Sequence, residues 1–121
     1  MEVCITLLNG DRINDGDLFF WIDWELPFLP RIGETIGCNL MCENLDPKEV
    51  YPLLLDTLDR EKWEINRNRL RWYPEDQVER GCLESWLAGF SAIIDNITWG
   101  YTLKGNLFAS IDVKLISDRQ D

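Results

Sequence analysis

Leu107, Ala109, Ile111, Val113 and Leu115 form an unbroken alternation of apolar side chains near the end of the chain, and no other stretch limits the possible folds so tightly. A period of two fits a strand with one buried face and does not fit a helix. Just before it, Ile93, Ile97, Trp99, Tyr101 and Leu103 form a second alternating set, interrupted at Asp95. A two-residue Gly105-Asn106 turn would put the two sets on opposite faces, because one step of register exchanges the faces. A three-residue loop, Lys104-Gly105-Asn106, instead pairs Leu103 with Leu107, Tyr101 with Ala109 and Trp99 with Ile111, with Asn106 in the left-handed conformation.

The N-terminal part carries further strands. Val3, Ile5 and Leu7 alternate with Cys4, Thr6 and Leu8, which predicts a strand covered on both faces. Asn9-Gly10 and Asp15-Gly16 are turn signals. Between Leu18 and Leu26, Phe20, Ile22, Trp24 and Leu26 alternate with Phe19, Trp21, Asp23 and Glu25. The Phe20 face is the core candidate, and the other face carries Trp21 among acids. Two prolines and a glycine then interrupt the apolar run Leu26–Ile36. That corner leads into a third strand, Thr35–Met41, with Ile36, Cys38 and Leu40 on one face.

Helix signals follow. Asp46-Pro47-Lys48-Glu49 offers a cap, a proline for the first turn and a glutamate that reaches back. Val50, Tyr51, Leu53, Leu54, Leu55 and Leu58 cover one arc of the resulting wheel, with Pro52 expected to delay or kink the helix. Asp76-Gln77-Val78-Glu79 repeats the capping box ahead of Val78, Cys82, Leu83, Trp86, Leu87 and Phe90, and Gly89 is the stop. Between the helices, Trp63–Tyr73 alternates in part. An extended conformation aligns Arg67, Arg69 and Arg71 on one face, a helix scatters them, and the extended form is expected. These elements predict a single α+β domain, residues 1–121. It is built on a curled antiparallel sheet or small β-barrel of about five strands, with a helical insertion, about 46–89, between the third and fourth strands. The tail Ser117–Asp121 is expected to fray.

Leu29-Pro30-Arg31-Ile32-Gly33-Glu34 and, further on, Asn96-Ile97-Thr98-Trp99 before the closing strand resemble segments of small uncharacterised bacterial β-barrel-like domains. In these a P-R-x-G-E/D turn introduces one strand of the barrel. The resemblance implies a barrel-like fold, supplies no catalytic residues, and does not account for the long helical insertion.

Charge bounds the function. The chain has 22 acidic and 12 basic residues, no histidine, and a net charge of −10. This disfavours nucleic acid and anionic membrane as partners, since phosphate recognition needs clustered Lys and Arg. The acidity is concentrated early: residues 1–40 hold seven acids against two bases. No stretch has the roughly 18 apolar residues of a membrane span, and no basic leader precedes an apolar run, so a cytoplasmic protein is expected. Cys4, Cys38, Cys42 and Cys82 are spread without C-x-x-C pairs and read as reduced packing thiols. A zinc site built from them is the competing reading.

Chemistry is thin. Without histidine the usual nucleophile–base pairs cannot form. Asp23 and Glu25 share a strand face and are formally able to act as an acid–base pair or to hold a hard cation. Clustered surface carboxylates more commonly just face solvent. Gly33-Glu34-Thr35-Ile36-Gly37 lacks the lysine and spacing of a phosphate loop. No catalytic residue, cofactor or metal is therefore expected. Two readings stand. In the first, a non-enzymatic acidic interaction module binds a basic protein partner through Trp21, Asp23, Trp24 and Glu25. An immunity protein for a toxin, or an inhibitor imitating nucleic-acid charge, is its concrete form. In the second, a small-ligand or enzymatic domain uses Arg67, Arg69, Arg71 and Trp72 on an anion.

Overall fold

The computed structural model describes residues 1–118. Five strands form one curled sheet, a half-barrel: β1 (Glu2–Leu8), β2 (Phe19–Asp23), β3 (Thr35–Ile36), β4 (Phe90–Tyr101) and β5 (Leu107–Ser117), in the spatial order β2-β1-β5-β4-β3. All neighbours are antiparallel except β1 and β5, which run parallel at the centre. Four helices lie between β3 and β4: α1 (Cys38–Asn44), α2 (Pro47–Val50), α3 (Thr57–Arg69) and α4 (Glu75–Leu87). They close over the inner face of the sheet. Val3, Ile5, Leu7, Ala109, Ile111 and Val113 from the sheet share one core cluster with Met41, Val50, Trp63, Leu83 and Leu87. The expected α+β architecture, with its helical insertion between the third and fourth strands, is the one observed.

Four local expectations are corrected. The third strand stops at Ile36, and Cys38 begins a helix. Cys38, Met41, Cys42 and Leu45 have helical spacing and turn one face inward, a period that outweighs the short alternation of Ile36, Cys38 and Leu40. The segment containing Arg67 is also helical, not extended. Asp56 starts α3 by accepting from the backbone N–H groups of Leu58 (2.8 Å) and Asp59 (3.1 Å). Pro52 does more than kink a helix. α2 passes into a 3-10 turn at Tyr51–Leu53, and Leu54 is extended before α3, leaving Leu55 and Leu58 exposed. Finally, α4 starts at Glu75, one residue before the expected Asp76 cap, behind Pro74, whose ring offers no side-chain acceptor; Glu79 is engaged elsewhere.

The β4–β5 hairpin has the expected face and a different register. Tyr101 pairs with Leu107, Trp99 with Ala109 and Ile97 with Ile111. The loop is therefore two residues longer than three, with Gly105 rather than Asn106 at positive φ (83°). Asp95, the interruption in the pattern, marks a register shift between Ile94 and Asn96. Such a bulge exchanges inward and outward positions. Before it Ala92 and Ile94 are buried, while after it Ile97 faces inward. Of the tail, Ser117 closes β5, and Asp118 is tied down by its N–H to the Gly89 carbonyl (3.0 Å) and by the Ser91 hydroxyl (2.7 Å). Residues 119–121 lie outside the described residues. No helix among the described residues is long and apolar enough to cross a membrane.

Candidate functional site

Two surfaces gather the residues singled out from the sequence. The first is β2 and the corner after it. Phe20 and Ile22 turn inward, and Phe19, Trp21 and Asp23 outward. Phe19 is 54% exposed and Trp21 48%. Trp21 rests edge-on against Phe108 of β5, ring centroids 5.5 Å apart. That contact needs the glycine on β4: a Cβ at Gly100 would lie 2.8 Å from the Phe108 ring. Asp23 stays exposed beside the Met1 amino group, 3.3 Å away, and Glu25 is exposed. Trp24 departs from the set. Its ring packs on the core and its indole N–H donates to the Phe28 carbonyl (2.8 Å). In its place the corner presents Leu26 and Phe28, 57% and 68% exposed. Between Arg12 and Arg31 there are four acids, Asp15, Asp17, Asp23 and Glu25, and no base.

The second surface is a cleft of about 680 Å³ lined by Lys48, Tyr51, Pro52, Arg67, Arg71, Tyr73, Glu75, Val78 and Glu79. It brings together two of the three predicted arginines and leaves Arg69 out. Arg67 is already occupied. It forks onto Glu79 (2.6 and 3.0 Å), pairs with Glu64, and lies over the Tyr51 ring at 4.8 Å. The Glu79 carboxylate also accepts from the Trp63 indole at 3.3 Å. Hydrogen bonds from Arg67 hold the Glu79 carboxyl below the usual range against the opposing effect of burial, and those carboxylates push the guanidinium up. Arg71 donates to the Asn68 carbonyl at 3.0 Å and stacks at 4.9 Å on Trp72, which is 82% exposed. With Glu75 and Glu79 opposing its cations, the cleft is close to neutral.

The cysteines do not converge. Cys38 donates to the Leu87 carbonyl and Cys82 to the Trp63 carbonyl, both at 3.5 Å, while Cys4 lies by Thr6 on the outer sheet face. All four are free thiols. Among the described residues no three metal-ligating side chains come together. Burial pushes the Cys42 and Cys82 thiols up to about 11.

Sequence reasoning missed one polar feature that fixes the scaffold. Arg12, in the loop after β1, donates to Asp59 of α3 at 2.7 Å, with Asp59 only 2% exposed, and covers the Phe90 ring at 5.2 Å. The partners are far apart in the chain, and no local pattern marks them. No protein-family model matches the chain, and searches of curated proteins and of solved structures returned no match.

Proposed function

We propose that the protein is a non-enzymatic interaction module whose acidic, aromatic flank at β2 binds a basic protein partner. One observation carries this reading. The segment between Arg12 and Arg31 holds four acids and no base, and it presents Phe19, Trp21, Leu26 and Phe28 to solvent at about half their area or more. Aromatic anchors inside a rim of one charge sign are what a tight, electrostatically steered interface uses. Immunity to a basic toxin and inhibition by imitation of nucleic-acid charge are the two concrete forms, and neither requires catalytic groups. A cytoplasmic setting suits the four free thiols. In affinity capture from the source lysate, a basic protein should be retained at low salt and released at high salt. It should be lost with the Trp21→Ala, Phe28→Ala double variant and kept with Arg71→Ala. Capture indifferent to the double variant contradicts the reading.

The cleft supports a second reading, an anion-binding pocket. Its favouring observation is that Lys48, Arg71 and the two tyrosines line one cavity. Arg67, already paired with two carboxylates, is not free for a ligand. Isothermal titration with inorganic phosphate and with benzoate is the direct check, and heat that disappears in Arg71→Ala would favour this reading.

A further inference from the structure

We infer that the free edge of β2 is a strand-addition site for an extended, lysine- or arginine-bearing segment of the partner, an inference that rests on the interaction-module reading. In the β1–β2 ladder the Leu7 N–H donates to the Leu18 carbonyl and the Trp24 N–H to the Met1 carbonyl. The register between them runs through Val3 with Ile22 and Ile5 with Phe20. Antiparallel pairs alternate between bonded and non-bonded positions. Leu18, Phe20, Ile22 and Trp24 thus spend their backbone groups on β1, and those of Phe19, Trp21 and Asp23 point outward from the sheet. Among the described residues those outward groups have no hydrogen-bond partner. The helix beside this strand, α1, leaves their side chains exposed: its buried residues Met41 and Cys42 join Phe20 in the core cluster.

Proteins ordinarily blunt such an edge with a short strand, a proline or a lysine. The opposite edge, β3, is two residues long. Phe19–Asp23 is five residues with neither proline nor lysine. Charge decides the occupant. Pairing β2 with β2 of a second copy, antiparallel about Trp21, sets Asp17 against Glu25 twice, and like charges directly opposite are destabilising. A basic extended segment inverts that term. Its lysine stems lie over Phe19 and Trp21, its ammonium groups reach Asp17, Asp23 and Glu25, and its main chain supplies the missing ladder.

The test uses the intact protein and an eight-residue peptide of alternating valine and lysine, followed by amide hydrogen exchange resolved by NMR. The expected result is exchange at least ten-fold slower at Phe19, Trp21 and Asp23. That protection should vanish for a peptide N-methylated at every lysine if the strand adds antiparallel, or at every valine if it adds parallel. Protection that survives both methylations overturns strand addition. So do shifts at Trp21 and the flanking acids without amide protection, although the acidic-face reading then stands. Protection that rises with protein concentration without peptide makes a second copy the occupant and overturns the proposal. No response at β2 or its acids overturns the proposal and also counts against the reading beneath it.

Discussion

Arg67 shows how a residue of the right type can be spent before any ligand arrives. Its guanidinium is forked onto Glu79, so the pair works as a clamp between α3 and α4. Arg67 keeps about a third of its side chain in solvent, and screening limits the clamp to about 1 kcal/mol, the loss expected in urea unfolding of Glu79→Gln. The pH dependence has a definite sign. A carboxyl held low in the fold stabilises above its ordinary value of about 4.3 and loses that contribution as pH falls below it. Stability of the native protein should therefore drop more steeply than that of Glu79→Gln in this acid range. The Arg12–Asp59 pair is deeper. Arg12→Met strands a carboxylate that is 2% exposed and should cost about 3 kcal/mol by denaturant unfolding. A double replacement by Met and Leu should cost clearly less, because no charge is then left unpaired. Iodoacetamide at pH 8 should modify Cys42 and Cys82 only as fast as the protein opens, since both are buried and that burial also holds their thiols near 11, with little thiolate.

Among the elements, the strands were legible where burial is one-sided and long. Leu107–Leu115 and the Phe20 face of β2 follow directly from period two. Short stretches misled. Ile36, Cys38 and Leu40 alternate over too few residues to exclude a helix, and the i, i+3, i+4 set from Cys38 to Leu45 decides the structure. In α3 the deciding signal was the Asp56 cap, four residues beyond a proline that breaks the preceding helix. The hairpin register follows from its five-residue loop, 102–106, and Asp95 is a bulge that a face-by-face alternation registers only as an interruption. Two glycines test this level. Gly105→Ala, at φ 83°, should cost about 1 kcal/mol without altering the sheet. Gly100→Ala should displace the Phe108 ring and so change the fluorescence of Trp21. An unchanged emission spectrum would mean that the Trp21–Phe108 contact is not what holds the exposed indole in place.

At the scale of the whole molecule, the half-barrel separates two jobs. The inner face packs against the helices, and the Arg12–Asp59 and Arg67–Glu79 pairs tie the pieces of that packing together. The outer face of β2 takes almost no part in it, while Phe20, Ile22 and Trp24 behind it do, which leaves an acid-rimmed aromatic surface on a packed support. From the sequence, Trp21, Asp23 and Glu25 could be placed on that flank because their face alternates with a buried one. Trp24 is grouped with them by its neighbours in the chain, although the same alternation sets it on the Phe20 face, where it packs on the core. The cleft was half legible: helical spacing separates Arg69 from Arg67, and the turn after α3 brings Arg71 back to the same cavity. The most direct measurement is an amide-exchange footprint of this protein in complex with its captured basic partner. The interaction-module account predicts protection across residues 17–28 and at Phe108, with the cleft residues Lys48, Arg71 and Tyr73 unchanged. Protection centred on the cleft, with residues 17–28 exchanging as in the free protein, would contradict it.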